Sequence, residues 1–258
     1  VIISNGPGEL ATWVRPVVEE LYKINKSLCD DDKLDFILRL ILVPCPNATG
    51  KEHIVANSWN KFELITKSNC FWKLLINPCS FAYWPKKGIV IFLGGDQLWS
   101  ILLAKRLGYT NITYAEWISR WPQWTNEIAA MNKKVKELIP KKHQNKCQVI
   151  GDLMADIKLN SEISLKNKEK KYLALLPGSK KAKLSIGIPF FLELADHIAR
   201  KNQNINFIIP IAPTTNKSEY LFFQSERNPI AKYYSSKIKK INNINDSCFD
   251  YVIETSKN

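Results

Sequence analysis

Apolar positions along this chain recur with two periods. Leu10, Trp13, Val14, Val17, Val18, Leu21 and Tyr22 fall three and four residues apart, the apolar face of an α-helix. Val1-Ile2-Ile3 before them reads as the end of a buried strand, and the polar turn Ser4-Asn5-Gly6-Pro7-Gly8-Glu9 joins the two. Pro16 interrupts the helical pattern. Either the regular helix starts near Arg15 or the proline kinks its first turns.

Further on, short continuous apolar runs alternate with helical stretches. Phe36 to Val43 is strand-length and stops at Pro44-Cys45-Pro46-Asn47-Ala48-Thr49-Gly50. Gly88-Ile89-Val90-Ile91-Phe92-Leu93 is the clearest buried strand. It leads through Gly94-Gly95-Asp96 into a helix over Gln97 to Leu107 that Gly108 would cap. Asn111 to Ala115 reads as a strand, Asn126 to Leu138 as a helix ended by Pro140, and Cys147 to Ile150 as another strand. After a Lys-, Asn- and Ser-rich stretch the pattern restarts, with strand Tyr172 to Leu176, a turn, a helix from about Ser185 to Lys201 and strand Ile205 to Pro210.

This alternation predicts α/β architecture with parallel sheets covered by helices. Two domains of the same class are expected: 1–157, a linker over 158–171, and 172–258. Val1 already stands inside a strand, and Tyr251-Val252-Ile253 reads as a strand just formed before the last residues. The chain is therefore expected to be a fragment cut at both ends, with an incomplete second domain.

Composition narrows the classes. With 258 residues and 45% hydrophobic content the chain can build a large core, but no apolar run approaches the ~20 residues of a membrane-spanning helix. The net charge of +13 suits nucleic acid, an anionic membrane surface or phosphorylated substrates, and equally a compositional bias of stretches such as Lys166 to Lys171 and Lys232 to Asn245. Six cysteines form no Cys-x-x-Cys pair and the three histidines are scattered, so no metal site is expected and a reducing, cytoplasmic setting is. The first residues do not read as a signal peptide, so none is expected.

In open α/β sheets ligands bind where strands end and helices begin, and several turns here sit at such places. Leu176-Pro177-Gly178-Ser179-Lys180 follows a strand with a glycine, a hydroxyl and a cation, a set that would hold a diphosphate or form a plain strand-to-helix turn. Asp96 presents a carboxylate at a strand end, as a general base or as the cap of the next helix. The first turn lacks the third glycine of a dinucleotide fingerprint; Asn5, Gly8 and Glu9 remain candidates for the cleft, with Glu9 binding hydroxyls or only favouring a helix N-terminus. Trp117, Arg120, Trp121 and Trp124 suit a sugar, an acyl chain or a bilayer interface, or domain packing. Stacking aromatics within a basic groove are missing, so nucleic acid is not an expected partner.

Taken in order, Gly94-Gly95-Asp96, Tyr114 with the Trp-rich segment, Gly151-Asp152-Leu153-Met154-Ala155-Asp156 and Ala174-Leu175-Leu176-Pro177-Gly178-Ser179 resemble the lipid-A-disaccharide synthases. Within them, Ser4 to Glu9 and Pro44 to Gly50 look like the cyanobacterial-type related branch. The resemblance covers nearly the whole chain. It implies a GT-B fold, two Rossmann-like domains facing a cleft, with the acceptor on the first and a UDP-sugar on the second. It also implies no cofactor or metal, Asp96 as general base, and Gly178, Ser179 and Lys180 near the donor diphosphate. Asn5, Gly8, Glu9, Trp117 and Arg120 would then line the acceptor side, facing the donor loop across the cleft.

Three departures matter. Lys180 replaces the usual Arg and loses its bidentate fork; Lys183 stands where an acidic residue is usual; and Asp152 replaces a His before Met154-Ala155-Asp156. The expected activity is transfer of a hexosamine-like sugar from UDP to a lipid-linked or other amphipathic acceptor, peripherally at the cytoplasmic membrane face. The alternatives are a GT-B-fold UDP-sugar epimerase and a basic module binding anionic lipid or nucleic acid.

Overall fold

The computed structural model describes residues 1–27, 36–46, 48–155, 171–178, 181–202, 204–209 and 222. The chain divides into two compact units, Val1–Lys158 and Leu159–Asn258.

The first unit is a seven-stranded sheet in which every pairing is parallel. Along the chain come β1 (Ile2–Ser4), α1 (Pro7–Glu9), α2 (Arg15–Ser27), β2 (Arg39–Leu42), α3 (Glu52–Asn57), β3 (Leu64–Thr66) and α4 (Phe71–Ile76). They are followed by β4 (Ile89–Phe92), α5 (Gln97–Leu107), β5 (Thr110–Ala115), β6 (Glu127–Ala130), α6 (Lys133–Glu137) and β7 (Cys147–Val149). The strand order is β3-β2-β1-β4-β5-β6-β7. The winding therefore reverses between β1 and β4, as in a Rossmann-type sheet.

Strand alternation explains the two-sided core. Ile2, Leu40, Leu42 and Leu93 join Leu10, Val14 and Val18 of the first helical segment on one face. Ile3, Ile41, Val43, Val90 and Phe92 meet Phe71 and Leu74 of α4 and Leu103 and Ala104 of α5 on the other. Successive side chains of a strand point to opposite faces, so β1 and β4 send their following helices to opposite sides and leave a crevice at their ends.

The regular helix α2 starts at Arg15, the first of the two readings that Pro16 left open, and helical winding of another kind already precedes it from Pro7. Leu10–Val14 winds as a π-helix, with the Arg15 N–H reaching back to the Leu10 carbonyl, and α2 continues from there. This wider turn accommodates Pro16, which has no N–H to give and would press on the preceding turn.

The expected helix over 126–138 is instead strand β6 and the one short helix α6. Ala, Met, Lys and Glu favour helix in isolation, but Ile128 and Ala130 are buried beside β5, and Asn132 accepts the Val135 N–H at 3.1 Å to start α6 anew.

In the second unit, β8 (Lys171–Ala174) pairs in parallel with β9 (Ile205–Ile208), and α7 (Lys181–Lys201) connects them. Lys171, expected as the last linker residue, is the first residue of β8. Leu184, Ile188, Leu192 and Ala195 of α7 pack on Leu175, Phe207 and Ile209. The rest of the linker, the basic stretch 232–245 and the C-terminal strand at Tyr251 lie outside the described residues.

Candidate functional site

Asn5 is the first residue after β1 and Gly94-Gly95-Asp96 follows β4, so both loops open at the point where the winding reverses. Gly94 and Gly95 hold φ of +151° and +100°. A Cβ on Gly94 would stand 3.0 Å from the Glu9 Cβ and 3.1 Å from the Asn5 Oδ1, and one on Gly95 2.6 Å from the Val43 Cγ2. The two glycines therefore let the β4 loop, immediately before Asp96, lie directly on the β1 loop.

Asp96 does both things that its position allows. Its Oδ1 accepts the Leu98 N–H at 2.9 Å and caps α5, while its Oδ2 faces the Arg120 guanidinium with Nη1 at 3.7 Å. Its side chain is 45% exposed, open to solvent and to an incoming hydroxyl. The next residue, Gln97, donates from Nε2 to the Ile118 carbonyl and accepts the Arg120 N–H at Oε1, both at 2.8 Å. That pair of bonds ties the segment after β5 to the start of α5.

The other acceptor-side candidates separate. Asn5 is buried, and its Oδ1 has no hydrogen-bond partner among the described residues. Glu9 bends back over Gly6, whose Cβ would stand 2.3 Å from the Glu9 Oε2. Gly8 is exposed, and its carbonyl accepts the Thr12 hydroxyl at 2.9 Å. Trp117 is 74% exposed and gives an indole hydrogen bond to Glu116. Trp121 and Trp124 stack with ring centres 5.2 Å apart, and Lys105 Nζ lies 5.1 Å from the Trp124 ring.

Sequence reasoning left Glu116 and Gln97 out of the site. Burial pushes the Glu116 carboxyl above the ordinary glutamate range, and the Asp152 and Glu9 carboxylates add to the rise. The nearby Tyr114 hydroxyl, which accepts the Leu153 N–H at 3.4 Å, is also pushed up, mainly by burial. A glutamate directly after a buried strand was the available signal for Glu116. Gln97 offered none, because its partners lie 21 and 23 residues away.

On the second unit, Gly178 ends the turn after β8 with φ +96°. Gly187 of α7 lets that turn come close, since a Cβ there would stand 2.9 Å from the Pro177 carbonyl oxygen. Ser179 and Lys180 lie outside the described residues. Among the described residues no group of three or more His, Cys, Asp or Glu side chains is arranged to hold a metal ion.

A comparison with protein-family models finds no match. Two curated proteins named lipid-A-disaccharide synthase are similar in sequence. The one from Psychromonas ingrahamii is 28% identical over 158 residues, covering 54% of this chain and 42% of that protein. The one from Aeromonas hydrophila is 28% identical over 90 residues, covering 32% and 24%. Among solved structures, a putative UDP-N-acetylglucosamine 2-epimerase from Listeria monocytogenes superposes with a TM-score of 0.57 at 10% identity, covering 98% of this chain and 67% of that one. The Neisseria meningitidis UDP-GlcNAc 2-epimerase bound to UDP-GlcNAc gives 0.54 at 13%, covering 99% and 72%, and the S. aureus MnaA–UDP structure 0.55 at 11%, covering 97% and 67%. This chain is thus related in sequence to lipid-A-disaccharide synthases and has a GT-B-type α/β fold, while spanning less than half the length of the curated relatives it matches.

Proposed function

We propose that this chain is part of a GT-B glycosyltransferase that moves a hexosamine-like sugar from a UDP-sugar to a lipid-linked or other amphipathic acceptor. The observation that carries this reading is the placement of Asp96. A carboxylate at the switch point, half-exposed and fixed by the start of α5, is ready to take the proton of an acceptor hydroxyl. As that oxygen bonds to the anomeric carbon, the bond from carbon to the UDP oxygen breaks, the electron pair leaves with UDP, and the proton rests on Asp96. Gly178, Ser179 and Lys180 would hold the departing diphosphate, with Lys180 as a point charge. No cofactor or metal is part of this proposal. Calorimetry on the complete protein with UDP-N-acetylglucosamine, together with a transfer assay on Asp96→Asn, tests it. Absence of UDP-sugar binding, or an Asn variant as active as the parent, removes it.

The lipid end of the acceptor and peripheral association with an anionic bilayer belong to the same proposal. Trp117, Ile118 and Trp124 are exposed, as are Trp72 and Ile76 on α4, and Lys105 and Arg106 lie beside them. Aromatic rings with nearby cations suit the interface of a bilayer. No helix among the described residues is long and apolar enough to cross one. Co-sedimentation with phosphatidylglycerol vesicles but not with phosphatidylcholine vesicles is the expected result.

A UDP-sugar epimerase is the second reading. It is supported by Glu116, a second carboxyl at the same sheet edge that is held toward its protonated form. Product analysis by NMR separates the two, as a new glycosidic bond marks transfer and an inverted ring carbon marks epimerisation.

A further inference from the structure

Gln97 makes an unusual use of its carboxamide. One end donates to the carbonyl of Ile118 and the other accepts the N–H of Arg120, both at 2.8 Å. These are the main-chain groups of alternate residues, so the side chain pairs with the segment as a neighbouring strand would. A carboxamide carries one donor and one acceptor at the spacing that this demands. Glutamate would keep the acceptor and set a carboxylate against the Ile118 carbonyl; asparagine is one methylene short; leucine loses both bonds.

Two buried polar groups in and beside the segment held in this way have no partner among the described residues. Ser119 is 7% exposed and its hydroxyl has no hydrogen-bond partner among the described residues, nor does the buried indole nitrogen of Trp121. Buried unpartnered polar atoms disfavour a conformation, so this one needs fastening from outside. What the fastening achieves is presentation: Trp117 and Ile118 stand out to solvent, 74% and 47% exposed.

We propose that Gln97 is a positioning residue for the acceptor, holding the Trp117–Arg120 segment so that its apolar rim grips the acceptor's hydrocarbon part while the sugar hydroxyl reaches Asp96. This rests on the transferase reading above and adds to it the device that sets acceptor affinity. Gln97 touches no reacting atom in this account. Its loss raises the acceptor KM and leaves turnover at saturating acceptor, and UDP binding, unchanged.

The test uses the complete protein with octyl β-D-glucoside as acceptor probe and UDP-N-acetylglucosamine as donor, comparing the parent with Gln97→Leu and Gln97→Glu. Hydrogen exchange monitors two amides. Arg120, whose N–H is bonded to Gln97, should exchange faster in Gln97→Leu. Leu98, bonded to Asp96, should not change, which shows α5 intact. The expected result is a rise of about tenfold or more in the octyl glucoside KM for Gln97→Leu, with kcat and UDP affinity held and Gln97→Glu in between. An unaltered KM alongside a deprotected Arg120 amide overturns the inference alone. A fall in kcat with unaltered KM overturns it as well. A parent protein that neither binds nor glycosylates the probe overturns the amphipathic-acceptor reading and this inference with it.

Discussion

Arg120 and Asp96 come within 3.7 Å of each other although 24 positions apart, and the pairing occupies only the carboxylate oxygen that the helix cap leaves over. Both side chains are largely open to solvent, so the ion pair itself adds at most about 1 kcal/mol to stability. Its consequence is directional: Arg120 reaches the oxygen that would receive a proton.

Substitution at Asp96 can separate the cap from the base. Asparagine also caps helices well and cannot take the proton. Asp96→Asn should therefore leave the unfolding midpoint nearly unchanged while transfer falls by about 100-fold or more. Asp96→Ala should lose the same activity and about 1 kcal/mol of stability. Chemical denaturation beside the transfer assay reads both. An Asn variant that keeps its activity would leave Asp96 as a cap only.

The glycines before Asp96 are held by contact as well as by conformation. Gly95→Ala would place a methyl 2.6 Å from the Val43 Cγ2 at a φ of +100°, and the short, branched and fully buried Val43 side chain has little room to move aside. Denaturation should show a loss of about 1–3 kcal/mol. Gly8→Ala, where a Cβ meets nothing within 4 Å, is the control and should change little.

Much of this was legible in the sequence because strands buried on both faces are continuous apolar runs bounded by turns. Gly88 to Leu93, the following helix and the left-handed Gly108 at its end all appear where the pattern put them. β6 was misread because two alanines, a methionine and several lysines favour helix locally, and only the neighbours β5 and β7 supply a reason to extend. β3, α3 and α4 are three to six residues long, too short to show a period. At the site, the glycine-marked loops after β1 and β4 were readable. The Gln97 bonds and the shift of Glu116 were not, since both depend on residues brought together only by the fold.

Gly187 offers a route to the donor side that leaves the phosphate turn's own residues untouched. A methyl on this α7 residue would meet the Pro177 carbonyl oxygen at 2.9 Å and the Pro177 Cα at 3.0 Å, pushing the turn before Gly178 away from the helix. Gly187→Ala should weaken UDP binding by about tenfold in calorimetry while the first unit keeps its stability. Unchanged UDP affinity would detach this turn from the nucleotide.

Glu116 gives the pH-dependent test. Burial first, then the Asp152 and Glu9 carboxylates, raise its carboxyl above the usual glutamate value of about 4.3, with the Trp117 indole pulling the other way. The folded state thus binds a proton more tightly than the unfolded chain, and its stability falls as pH rises through the interval between the two values. Glu116→Gln removes the charge and keeps the shape. Its thermal midpoint should match the parent below about pH 4 and exceed it increasingly through the interval, with a constant advantage above. A difference that is flat with pH would mean that the environment of Glu116 does not distinguish its two forms. Activity of the same variant discriminates between the two enzyme readings. A transferase that relies on Asp96 should keep most of its turnover, whereas an epimerase that needs a second acid or base at this edge should lose it.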